Sequence, residues 1–154
     1  MKISHSILIG KPPDKVFYWL EDGDRAMEWM TSVTKGEIIE KTPDMVGTRF
    51  RETVEENGAG TELIGVITEF ETNRRLAFHL EGKYNTVDVA YSLQEREGNT
   101  ELTQNAEIRF KGFLRVLSVL FGPAFKKKTL AQARNEFARL KEICEGDKQL
   151  ADSF

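Results

Sequence analysis

The chain of 154 residues predicts an α+β domain, with a curved antiparallel sheet of about six or seven strands wrapped around one long C-terminal helix and two short helices after the first strand. Three features predict it. From Val33 to about residue 110 apolar side chains recur with a period of two, and turn residues part the segments without any helical interval, which makes a meander. From about Gly112 to Cys144 the period changes to three and four. A sheet with one apolar face must bury it, and the terminal helix is the only element long enough to lie across it.

Residues 2–9 put Ile3, His5, Ile7 and Ile9 on one side, which suits a first strand. Gly10-Lys-Pro-Pro-Asp14 then starts a short helix, since proline is tolerated in a first turn whose N–H groups are unpaired anyway. Val16, Phe17, Trp19 and Leu20 give this helix an apolar face. Asp22-Gly-Asp24 reads as a turn, because the other ligands of a calcium loop are missing, and a second short helix carries Met27, Trp29 and Met30. Strands are expected at about 34–42, 47–56, 61–71, 74–81, 84–95 and 100–110, with Thr42-Pro-Asp44, Asn57-Gly58, Thr72-Asn73, Gly82 and Gly98-Asn99 between them.

Phe50 and Val54 lie on one side with Thr48 and Glu52, in a register left uncertain, and the inner face is expected to carry Leu76, Phe78 and Leu80, then Val87, Val89, Tyr91 and Leu93, and last Leu102, Gln104, Ala106, Ile108 and Phe110. His79 falls outward. The strand at 61–71 is apolar on both sides, with Ile64, Val66 and Phe70 opposed by Leu63 and Ile67, so its register stays open. The long helix has two unlike halves. Leu130, Ala133, Phe137, Leu140 and Cys144 form a core stripe, whereas Phe113-Leu-Arg-Val-Leu-Ser-Val-Leu-Phe121 is apolar almost all round. Gly122-Pro123 parts the halves, and a kink or short break is expected there.

Composition narrows the function. With 22 basic and 25 acidic residues the net charge is −3, and no aromatic-interleaved basic groove appears, so nucleic acid is not an expected partner. The single cysteine, Cys144, excludes an internal disulfide and a cysteine zinc cluster. The start of the chain lacks the apolar run of a secretory signal, and the apolar stretch near 113–125 is too short and interrupted to span a bilayer, so a cytoplasmic protein is expected. One domain over residues 1–146 with a tail at 147–154 is expected, as a monomer or weak homodimer. No nucleophile elbow, phosphate-cradling loop, zinc spacing or nucleotide fingerprint occurs, so no cofactor and no metal are expected.

Several segments, in order and spacing, resemble the START-like (SRPBCC) superfamily, in particular its polyketide cyclase/dehydrase and lipid-transport-like group. They are Ile7-Leu-Ile-Gly-Lys-Pro-Pro-Asp-Lys-Val-Phe17, Leu20-Glu-Asp22, Glu28-Trp-Met30, Val46-Gly-Thr48, Val66-Ile-Thr-Glu-Phe-Glu-Thr-Asn-Arg-Arg-Leu-Ala-Phe78, Gly98-Asn-Thr-Glu-Leu-Thr103 and Leu140-Lys-Glu142. The resemblance covers nearly the whole chain. It implies the helix-grip fold, an apolar tunnel between sheet and long helix, and no single activity, since the superfamily holds lipid and hormone carriers, polyketide cyclases, ring-hydroxylase subunits and chaperone activators.

The residues expected to line such a tunnel are Trp29, Phe50, Glu52, Phe78, Tyr91, Gln104, Phe113, Leu117, Leu120, Phe121 and Phe125. For the five helix residues, core packing or a dimer contact is the competing reading. Trp29 is expected first to pack the short helices and second to touch a ligand. Tyr91 and Gln104, if buried, need hydrogen-bond partners and either bond each other or orient a ligand's polar end. Glu52 turned inward would be a desolvated carboxylate suited to proton transfer, but an outward-facing side chain is the reading preferred. Lys126-Lys-Lys128 reads as a solvated face, and contact with anionic headgroups is the alternative. The expected function is binding or transport of a small hydrophobic or amphipathic molecule. The alternatives are a cyclase or dehydratase in the same cavity and a chaperone-activator-like module that docks a protein partner through the apolar half-helix.

Overall fold

In the computed structural model, which describes residues 1–56 and 59–146, the first strand β1 (Lys2–Ile9) pairs with the last one rather than the next. Helices α1 (Pro13–Glu21) and α2 (Gly23–Ala26) follow, then β2 (Val33–Glu40), β3 (Arg49–Glu56), β4 (Ala59–Glu71), β5 (Arg75–Gly82), β6 (Asn85–Arg96), β7 (Asn99–Phe110) and α3 (Phe113–Gly146). The sheet order is β1-β7-β6-β5-β4-β3-β2, antiparallel throughout. This is the helix-grip arrangement, and each expected strand lies within two residues of the observed one. The expected turn at Asn57-Gly58 and the tail 147–154 lie outside the described residues.

β4 resolves its own ambiguity. Leu63, Gly65 and Ile67 face inward, and a bulge between Ile67 and Glu69 shifts the phase so that Phe70, opposite Leu76, also points in. An extra residue in one strand reverses the alternation, so a single period of two could not fit both ends. Gly65 has a steric reason: the Phe50 ring lies across it, and a Cβ there would sit 2.2 Å from Phe50 Cζ.

Two expectations are corrected. Asp22 is not merely a turn residue but the N-cap of α2, its Oδ1 accepting from the N–H groups of Asp24 (2.9 Å) and Arg25 (3.1 Å). α2 then ends at Ala26, so Met27 and Trp29 lie in the turns that follow. Helix α3 runs unbroken through Pro123. Proline removes one helical hydrogen bond and crowds one carbonyl, but neither divides the helix here.

The core forms where α1 and the second half of α3 meet β1, β7 and β6. Phe17, Trp29, Leu102, Phe137 and Leu140 are fully buried there. Polar clasps hold the same half of α3: Arg139 Nε donates to Glu28 O and Lys141 Nζ to Leu8 O, each at 2.7 Å. α3 packs chiefly on β1 and then on β7. On the inner face Leu63, Ile67, Leu76 and Leu80 of β4 and β5 are buried, whereas Phe50 of β3 and Phe78 of β5 are half-buried.

Replacing Gly65 by Ala should destabilise the fold by about 1–3 kcal/mol in urea unfolding, because the new methyl overlaps the Phe50 ring and forces it off its present packing. Combining it with Phe50→Ala should cost less than the sum of the two single changes.

Candidate functional site

The inner face carries a row of aromatic rings that runs from the half-buried Phe50 to the buried Tyr91. Phe50 on β3 meets Phe78 on β5 edge-on at 5.8 Å, Phe78 meets Tyr91 on β6 at 6.1 Å, and Tyr91 meets Phe137 of α3 at 6.2 Å. Strand alternation and register place them together, since Phe78 pairs with Val89 and Tyr91 with Leu76 on one face. Phe50, Phe78 and Val87 are only half-buried, although they sit on the core face of a sheet. Beyond them Ile38, opposite Phe50 on edge strand β2, is 56 % exposed, so the groove is open past that edge.

Polar groups converge at this row. His5 Nε2 donates to Gln104 Oε1 at 2.6 Å, and Gln104 Nε2 donates to the Tyr91 hydroxyl at 3.3 Å, leaving the phenol hydrogen to donate in turn. Tyr91 and Gln104 thus bond each other, as buried polar groups must. Tyr91 is buried, and desolvation, then the charges of Glu136 and Glu52, push its pKa up.

Glu52 is a correction to the preferred outward reading. Its parity with Phe50 turns it inward, opposite Leu63 on β4 and Gly36 on β2. Solvent can still reach it, but the protein around it pushes its pKa up to about 7, chiefly by desolvation and secondly through Glu136. No hydrogen bond or ion pair of its carboxyl appears among the described residues.

Glu136 is the site residue that sequence reasoning missed. Its Oε1 accepts from Thr31 N (2.9 Å), Thr31 Oγ1 (3.0 Å), Ser32 N (3.3 Å), Ser32 Oγ (3.4 Å) and Gln132 Nε2 (3.5 Å), which ties α3 to the loop before β2. A signal existed: Glu136 lies three residues after Ala133 and four before Leu140, on the core stripe.

The other expected lining residues separate. Trp29 is fully buried, donates Nε1 to Trp19 O at 2.9 Å, and meets Tyr91 and Phe137 edge-on at 6.3 Å, so it packs the short helices from behind the row. Phe125 is half-buried, with its ring 5.3 Å from Phe110, and Leu117 is half-buried. Phe113, Leu120 and Phe121, however, do not line a tunnel: they are 73, 72 and 64 % exposed. One helix can turn only one side to the sheet, and the half-buried Leu114, Leu117 and Phe125 occupy it. Near that end a cleft of about 720 Å³ touches Lys126, Leu130, Ile3, Phe78, Val89 and Ala106. It also touches Ser4, Ala77, Ala90 and Asn105 of the outer row, so its volume is not the groove's alone, and Glu52 does not line it.

His79 lies on the outer face, where Nδ1 bonds Asp88 Oδ1 at 2.7 Å and raises the histidine's pKa. Among the described residues no group of three or more His, Cys, Asp or Glu is placed to hold a metal ion, and no helix is long and apolar enough to cross a membrane.

Residues 1–145 match the family described as polyketide cyclase / dehydrase and lipid transport. Solved structures with the same fold include TTHA0849 from Thermus thermophilus (TM-score 0.80, 14 % identity, 95 % of this chain and 98 % of that one). A START superfamily protein from Mycobacterium smegmatis (0.78, 16 %, 94 % and 97 %) and the Zhui aromatase/cyclase from Streptomyces sp. R1128 (0.78, 13 %, 96 % and 94 %) are similar too. At such identities the likeness is one of fold. No curated protein matches the sequence significantly.

The raised pKa of Glu52 makes stability depend on pH. The folded chain holds this proton up to about pH 7, whereas the unfolded chain releases it near 4.5, so folding is favoured below that window and loses ground as pH rises through it. Glu52→Gln should therefore leave stability near pH 4.5 unchanged. At roughly pH 8 the variant should be more stable than the parent by up to about 3 kcal/mol, read from urea unfolding at both pH values.

Proposed function

The chain belongs to the polyketide cyclase/dehydrase and lipid transport family, and on that premise we propose that it binds a small amphipathic molecule in the groove between the inner sheet face and α3. The observation that carries this reading is the open aromatic row with a carboxyl at its end. Phe50, Phe78 and Val87 offer half-buried apolar surface, and Glu52 has no protein partner there, among the described residues, to compensate its burial. Apolar surface of this kind gains roughly 25 cal/mol for each Å² covered by a guest. A polar end can meet Glu52, which accepts a hydrogen bond when ionised and donates one when protonated, or the Tyr91 hydroxyl.

A second reading has its own support. A carboxyl with a pKa of about 7, on the same sheet face as a tyrosine hydroxyl that hydrogen-bonds Gln104 and through it His5, has the makings of a general acid or base at neutral pH. Cyclisation and dehydration need such proton transfers, and a fold neighbour is an aromatase/cyclase. Glu52 would move the proton and Tyr91 would orient the substrate oxygen.

Titration with an apolar fluorescent probe should show saturable binding. Val87→Trp, which fills the groove from β6, should weaken it by at least about tenfold, the equivalent of about 1.4 kcal/mol. A wild-type chain that binds no probe, or a variant that binds it equally well, contradicts the binding reading.

A further inference from the structure

We infer that the outward face of the first half of α3 is a docking surface for an anionic lipid bilayer. Phe113, Val116, Val119, Leu120 and Phe121 are 62–80 % exposed, a contiguous apolar face on the first turns of a helix whose other side meets the sheet. Monomeric proteins seldom leave aromatic and aliphatic side chains in such a cluster unless something covers them.

Charge says what covers it. From Phe113 to Asn135 the helix has no acidic residue but carries Arg115, Lys126, Lys127, Lys128 and Arg134, in a chain whose net charge is −3. None of these five cations takes part in an ion pair among the described residues. Lys111, just before the helix, is held by Glu81 at 2.6 Å and is not counted with them.

The composition is that of an interfacial helix. Such a helix lies in the plane of the surface with its apolar side chains sunk roughly 5–10 Å and its basic side chains reaching back to the headgroups. Phe121 and Lys126 are five residues apart, about 7.5 Å along the axis at 1.5 Å per residue, so the lysines lie beside the apolar strip on the same surface. The β5–β6 turn adds to the same end, with Tyr84 49 % exposed and its carbonyl held by Lys111 N–H at 2.9 Å. Lys83 Nζ lies 5.4 Å from the Tyr84 ring.

A second copy of the chain fits less well. An isologous interface brings the same patch against itself, and this strip has no carboxylate to meet a partner's lysines. The docking surface does not depend on whether the groove is occupied.

Flotation of the full chain with vesicles tests the inference. Vesicles of phosphatidylcholine mixed with phosphatidylglycerol should carry the protein, pure phosphatidylcholine should carry far less, and added salt should release it. Replacing Lys126, Lys127 and Lys128 together by Gln should weaken partitioning by about fivefold per lysine, roughly 100-fold in all. Leu120→Ser with Phe121→Ser should abolish it while thermal unfolding stays unchanged, both side chains being exposed. Failure to float with the mixed vesicles, or flotation that survives both sets of substitutions, overturns the inference. So does light scattering that shows a dimer which the Leu120→Ser, Phe121→Ser variant splits, because a second copy would then cover the face.

Discussion

One helix cannot cover seven strands, and the rest of this structure follows from that mismatch. Six gaps of about 4.8 Å make the sheet about 29 Å wide, whereas a helix with its side chains is roughly 10–12 Å across. α3 settles on β1 and β7, and α1 adds contacts to β6 and β7, so the inner face is closed over Ile67, Leu76 and Leu80 while Phe50, Phe78 and Val87 stay half-buried. The aromatic residues there are not misplaced core. They pack against the core at the margin of a face that the fold closes only in part.

The polar groups on this face have a different standing from those elsewhere in the sheet. His5, Gln104 and Tyr91 satisfy one another in a chain of hydrogen bonds, and Glu136 is capped by the Thr31–Ser32 loop. Glu52 faces the groove without such support among the described residues, next to a second carboxylate. An isolated ionised acid in a desolvated place works against folding, which explains why its proton is retained to about pH 7. A residue that weakens the fold at neutral pH yet sits where a guest's polar end would lie fits a functional role better than a structural one.

The sequence carries the architecture almost in full, and the site in part. Period-two alternation locates every strand, and the spacing of Leu130, Ala133, Phe137, Leu140 and Cys144 picks out the side of α3 that is gripped. Alternation fails where the backbone breaks the period: the Ile67–Glu69 bulge leaves β4 undecided. Glu52 reads as outward because the alternation at 47–56 leaves the register of the strand uncertain, and only its pairing opposite Leu63 and Gly36 settles the matter. The apolar first half of α3 reads as tunnel wall. All-round apolarity cannot say which side meets the sheet, and the outcome depends on how far the helix stands from strands that are remote in the chain.

That half-helix therefore has two surfaces with separate explanations: Leu117 and Phe125 belong to the sheet side, and Phe113, Leu120 and Phe121 to the outside. The most direct test of the open groove is methyl NMR of the full chain titrated with a small single-chain amphiphile. Saturable shifts at Val54, Leu80 and Val87, with Leu102 and Leu140 unmoved, are the predicted result. Shifts confined to Val119 and Leu120, or none at all, would mean that the inner face of β3 to β5 admits no guest.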